Sequence, residues 1–155
     1  MLDTPTRLLI VDDEPCIRTS LCQVFTAIGY SVRSASDGLL AMKEIHETVP
    51  EILISDLHMP NLSGFELLSR VRRRFPSIYV IAMSGAFTGN SVPVGVAADA
   101  FYEKASGLGL LLKQAKIGAV LTRSTLWAKH RSAENWIPSS VEAEFDQQGR
   151  KCEVL

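Results

Sequence analysis

The sequence predicts an α/β fold, a doubly wound five-stranded parallel sheet with helices on both faces. Three observations predict it. Between residue 8 and about residue 120, short apolar runs alternate with longer segments of helical periodicity. The apolar runs are continuous rather than alternating in polarity, as strands buried on both faces require. The helical segments fall between them, where the crossovers that join parallel strands must lie.

The elements follow in order. "RLLIV" reads as a short buried strand. "PCIRTSLCQVFTAIG" then places Ile17, Leu21, Val24, Phe25 and Ile28 at helical spacing, with Pro15 in the first turn and Gly29 at the end. "YSVRSA" is a weaker strand carrying Val32 and Ala35, and "SDGLLAMKEIHETV" a helix with Leu39, Met42 and Ile45 on one face. "EILIS" is the third strand, followed by the helix "SGFELLSRVRRRF" with Leu68 and Val71 inward. "IYVIAM" is the most strand-like run of all. "GNSVPVGVAADA" is a poor fourth helix, weakened by Pro93 and Gly95. "AFYE" is a fifth strand and "GLGLLLKQAKIGAVL" a fifth helix. Past residue 121 the pattern stops, so the chain divides into a domain over 1–120 and a polar tail over 121–155, in which Trp127 and Trp136 are the large apolar anchors.

Composition narrows the class. With 155 residues, 46% hydrophobic and 21% charged, the chain suits a soluble globule of one domain plus a small appendage. A net charge of −1 does not suit a nucleic-acid binder driven by bulk electrostatics. The N-terminus lacks the basic and apolar regions of a signal peptide, and no apolar run reaches the roughly 18 residues of a membrane span. Cys16, Cys22 and Cys152 match neither a disulfide framework nor a zinc pattern, which suits reduced thiols in the cytoplasm.

Ligands of open α/β sheets bind at the carboxyl ends of the strands. Here strand one ends in Asp12-Asp13-Glu14, strand three in Asp56, strand four in Ser84-Gly85 and strand five in Lys104. Any one of these residues is explained by a helix cap or a solvated turn. All of them together, each at a strand end, predict a site. Converging carboxylates repel one another unless a cation intervenes, and hard oxygen ligands with room for water suit Mg2+ better than zinc. Lys104 adds a compact positive charge, the Ser84 hydroxyl a donor, and Asp56 a carboxylate nucleophile.

The ordered set "LLIVDDEP", "SDGLLAM", "ILISDLHMPNLSGFELL", "VIAMSG" and "FYEK" resembles the receiver domain of two-component response regulators, over roughly residues 6 to 120. The resemblance implies a flavodoxin-like strand order 2-1-3-4-5 and a signalling switch rather than an enzyme. It implies that Asp56 accepts a phosphoryl group from a sensor histidine kinase or phosphotransfer protein. Asp13, Asp56 and the backbone carbonyl of His58 would ligate Mg2+, with Asp12 holding one of the metal's waters. Ser84 matches the switch hydroxyl, Lys104 the conserved-type lysine and Phe101 the aromatic that turns inward on activation; Gly64 would shape the turn into the third helix. Tyr102 points to the other side of its strand from Phe101.

Three positions depart from the pattern. Ala105 stands where a proline, often cis, usually follows the lysine; a cis bond without proline costs about 3–4 kcal/mol, so a trans peptide and a shifted loop are expected. The poor fourth helix predicts a looser signalling face. Ala86, two residues after Ser84, cannot orient the water that hydrolyses an acyl phosphate, a role open to His58.

Other readings fit less well. A haloacid-dehalogenase-type phosphatase is similar to an Asp-x-Asp strand end that neither Asp12 nor Asp56 provides. A nucleotide-binding domain needs a glycine-rich loop where "DDEPC" stands. A phosphate-independent docking module is disfavoured by the intact set of Asp12, Asp13, Asp56, Ser84 and Lys104. "RVRRRF" reads as cations complementing a helix C-terminus, and His46 and His130 as surface residues. A tail of about 35 residues is too short for a typical effector domain, which predicts a stand-alone receiver. Its output is then an unidentified downstream protein, with no nucleic acid or membrane, from a monomer or weak homodimer.

Overall fold

The computed structural model describes residues 4–86, 92–124 and 127. The order of elements is β1 (Arg7–Val11), α1 (Pro15–Ala27), β2 (Ser31–Ala35), α2 (Gly38–Glu47), β3 (Ile52–Asp56), α3 (Gly64–Arg74), β4 (Tyr79–Ser84), β5 (Ala100–Glu103) and α4 (Leu108–Thr122). The strands form a five-stranded sheet in the order β2-β1-β3-β4-β5, every pair parallel. This is the doubly wound parallel sheet that the alternation of elements predicts, in the flavodoxin-like strand order that the resemblance implies.

The strand residues divide between two cores according to the pleat. Leu9, Val11, Leu53, Val80, Ala82 and Phe101 face one way, against Ala41 and Ile45 of α2 and Leu67, Leu68 and Val71 of α3. Leu8, Ile10, Ile52, Ile54, Ile81, Met83 and Tyr102 face the other, against Leu21 and Phe25 of α1 and Leu111 and Ala115 of α4. Phe101 and Tyr102 therefore lie on opposite faces, as the strand period requires. Each fully buried Leu, Ile or Phe contributes about 1.5–3 kcal/mol, so these two layers carry most of the fold's stability.

Local signals mark the helix starts. The Asp37 carboxylate accepts from the Leu40 amide at 2.8 Å, and Ser63 Oγ from the Glu66 amide at 3.3 Å. Arg73 and Arg74 are exposed in the last turn of α3, as cations complementing the helix dipole should be. Arg72 departs from that reading. It is buried and pairs with Asp99 at 3.1 Å, which ties the end of α3 to the start of β5.

Between β4 and β5 the fold differs from the expected five helices. Residues 92–99 form no helix; the Val96 amide closes a turn on the Pro93 carbonyl at 3.1 Å, and Asp99 returns to the sheet through the Val80 carbonyl at 2.8 Å. Pro93 has no amide to donate to a helix, and Gly95 holds φ at +84°. The earlier part of "GNSVPVGVAADA" lies outside the described residues. Among the described residues every peptide bond is trans, Lys104–Ala105 included.

The last helix runs to Thr122, and Trp127 returns to the body beyond the residue-120 boundary expected from sequence. Its indole N–H donates to the Ser77 carbonyl at 2.8 Å, and its ring lies 5.8 Å from that of Tyr79. Trp136, His130 and Cys152 lie outside the described residues.

Candidate functional site

A parallel sheet brings the carboxyl ends of all its strands to one edge. The chain leaves β1 toward β2 on one side and reaches β3 on the other, so the crevice opens where β1 and β3 end side by side. Asp12 and Asp56 emerge there. Asp12 follows the last residue of β1 and is wholly buried; Asp56 is the last residue of β3 and is 5% exposed. Asp13 is exposed at the mouth. Oxygens of these three carboxylates lie within 4.8 Å of one another.

Lys104, delivered by β5, lies between the two buried acids. Its Nζ is 3.0 Å from Asp12 Oδ2 and 3.1 Å from Asp56 Oδ2. The His58 amide donates to Asp56 Oδ1 at 3.2 Å, and the Glu14 amide to Asp12 Oδ1 at 2.9 Å. Burial pushes the Asp56 carboxyl above the usual carboxylate range, against the opposing pull of the His58 amide and the Lys104 charge. For Lys104 burial alone would lower the pKa, but the Asp12 and Asp56 carboxylates beside it prevail and raise it.

These residues fit a divalent cation. Three carboxylates face one ammonium, which leaves an excess of negative charge in a half-buried space. Asp12 Oδ2 is buried and receives no well-directed hydrogen bond, having only the ion pair with Lys104. The donors are hard oxygens, and exposed Asp13 leaves the site open to water, conditions that suit Mg2+.

Gly64 explains how α3 can start against this crevice. A Cβ on residue 64 would lie 2.0 Å from the Asp56 carbonyl oxygen, so only glycine permits that approach. The preceding turn places Asn61 at φ 66°, a conformation that asparagine tolerates.

Ser84 ends β4 with its hydroxyl oxygen accepting from the Ala86 amide at 3.0 Å and lying 3.5 Å from His58 Nδ1. Phe101 is three residues before Lys104 and fully inward, packed in the core that α2 and α3 cover. The structure thus brings Asp12, Asp13, Asp56, His58, Ser84 and Lys104 to one rim and keeps Phe101 in the layer beneath it. Sequence reasoning missed the ring of His58 as a neighbour of Ser84, and the Gln114 amide that donates to the Phe101 carbonyl at 2.8 Å. Neither pair has a local spacing that signals contact.

Residues 8–119 match the family model described as the response regulator receiver domain. The chain belongs to the receiver domain family of two-component response regulators. Receivers are signalling domains. This one is 28% identical to the response regulator TrrA of Thermotoga maritima, solved with Mg2+ and beryllofluoride, with a TM-score of 0.67 over 73% of this chain and 98% of that one. The same TM-score and identity relate it to TrrA in complex with the histidine kinase ThkA, over 73% of this chain and 97% of that one. It is 33% identical over 106 residues to the response regulator MprA of Mycobacterium sp. (strain KMS), which is 67% of this chain and 40% of MprA. The receiver thus spans less than half of that relative. No helix among its described residues is long and apolar enough to cross a membrane.

Proposed function

We propose that this receiver accepts a phosphoryl group on Asp56 from the phosphohistidine of a sensor kinase or phosphotransfer protein. The observation that carries the reading is Asp56 itself: a nucleophilic carboxylate at a strand end, held by one ammonium and one amide within an acidic cluster. The Lys104 ion pair and the His58 amide both favour the ionised carboxylate, which is the nucleophilic form. One Asp56 oxygen attacks phosphorus while the bond from phosphorus to the donor's imidazole nitrogen breaks, and the imidazole leaves as the neutral ring once protonated. The donor is proposed by likeness to TrrA, which forms a complex with a histidine kinase.

Asp12, Asp13, Asp56 and the backbone carbonyl of His58 would hold Mg2+, which when bound neutralises charge on the incoming phosphoryl group. Lys104 stands within reach of the same oxygens, and Ser84 supplies a hydroxyl donor on the neighbouring strand. Phosphorylation exchanges the single carboxylate charge of Asp56 for a phosphoryl group of about −1.5 to −2, a net gain of roughly one-half to one negative charge at this rim. Lys104 and Ser84 then turn to the new oxygens, and Phe101 secures the space behind Ser84. The face formed by residues 92–99, β5 and α4 shifts its population, and an unidentified downstream protein reads it. Driving such an equilibrium from 1:99 to 99:1 needs about 5.5 kcal/mol of preference for one state.

Intact-mass spectrometry after incubation with Mg2+ and a small-molecule phosphodonor tests this. Wild type should gain one phosphoryl mass, and Asp56→Asn none. Wild type without the gain, or a variant that keeps it, overturns the assignment.

A further inference from the structure

The Ser84 hydroxyl has one proton to donate. Its oxygen already accepts from the Ala86 amide at 3.0 Å, so what the structure leaves open is where that proton points. The nearby acceptor is the imidazole of His58, whose Nδ1 lies 3.5 Å away. The ring is not placed by chance. The His58 amide is bonded to Asp56 Oδ1, and the ring meets that of Phe65 edge-on at a centroid distance of 5.8 Å. Residue 86 is alanine, so no longer side chain there competes for Ser84 Oγ.

We propose that His58 is a positioning residue that holds the Ser84 hydroxyl proton away from Asp56, and so biases the receiver toward its unphosphorylated form. In the tautomer that carries its proton on Nε2, the ring presents Nδ1 as an acceptor. Ser84 cannot donate to Nδ1 and to a phosphoryl oxygen at once, and every phosphoryl group placed on Asp56 must win the hydroxyl from His58. At 3.5 Å the contact is long, so a small rotation releases it. This inference rests on the reading of Asp56 as the phosphoacceptor.

The test is the affinity of the intact chain for beryllofluoride in the presence of Mg2+, measured by titration calorimetry. Competition from one neutral hydrogen bond predicts that His58→Ala binds beryllofluoride about threefold to tenfold more tightly than wild type. His58→Asn, whose short amide can replace Nδ1, should return to the wild-type value. In a Ser84→Ala background the His58→Ala substitution should change nothing, a non-additivity that a general effect of the ring on the turn would not produce. Unchanged affinity in His58→Ala, or an equal change with and without the Ser84 hydroxyl, overturns the positioning role. A wild-type chain that binds Mg2+ but no beryllofluoride overturns the phosphoacceptor reading, and this inference with it.

Discussion

At the scale of single residues, Asp56 carries a conflict between stability and chemistry. Its carboxyl is pushed up by burial despite Lys104 and the His58 amide, so the ionised form is disfavoured by folding. The sign follows from linkage: a carboxyl whose folded-state pKa is raised binds more protons in the folded chain than in the unfolded one. Its ionisation lowers stability as pH rises from the unfolded value, about 3.9, through the raised folded value, and the cost is complete above that window. A neutral isostere removes the cost. In the absence of divalent cations, Asp56→Asn should therefore melt above wild type at pH 7 by about 2–4 °C, the shift that roughly 1 kcal/mol makes in a domain of this size. The gain should vanish by about pH 3, roughly a unit below the unfolded value, where both side chains are neutral. Thermal unfolding followed by circular dichroism at the two pH values checks this, and a variant that melts below wild type at pH 7 contradicts it. Lys104 behaves in the opposite sense: its raised pKa means that its contribution is complete below the unfolded value of about 10.4 and is lost as pH rises through the folded one.

At the scale of elements, the strands were legible because burial on both faces leaves a continuous apolar run, as in "LLIV" and "IYVIAM". The strand-end carboxylates were legible for the same reason, as abrupt polar residues at the ends of such runs. The Arg72–Asp99 pair was not, because its members are 27 residues apart and Arg72 sits among other arginines where any cation suits the helix end. Only the packed structure shows that Arg72 turns inward. Burial lowers its guanidinium pKa to about 10, still high enough to be charged at neutral pH, and Nη1 is buried without a hydrogen bond. Asp99 answers that charge while also accepting from the Val80 amide at 2.8 Å. Breaking such a pair costs more than the pair contributes, because the remaining charge is stranded. Asp99→Asn should keep the bond to Val80 and strand Arg72, lowering the urea unfolding free energy by about 3 kcal/mol. Adding Arg72→Met should restore a large part of the loss. If the double variant is as unstable as Asp99→Asn alone, the stranded charge is not the cause.

At the scale of the whole molecule, the parallel sheet separates two tasks along its strands. The carboxyl ends gather the chemistry, while the amino ends meet the chain that follows α4. Trp127 docks on Ser77 and Tyr79 at the start of β4, and Ser84 stands at its other end. Five residues of strand rise about 17 Å, beyond the reach of any direct contact with the acidic rim. The sequence marked Trp127 as a large apolar residue in a polar tail but offered no partner for it, since its receiving carbonyl on Ser77 belongs to a turn 50 residues earlier. Trp127→Ala removes a half-buried ring and one hydrogen bond. The expected loss is about 1–3 kcal/mol, a fall of roughly 2–8 °C in melting temperature. The same variant should gain one phosphoryl mass from a small-molecule donor at the wild-type rate, and titrate with Mg2+ at wild-type affinity. A slower phosphoryl gain at a temperature where the variant is fully folded would show that the amino end of the sheet is coupled to the rim despite the lack of contact.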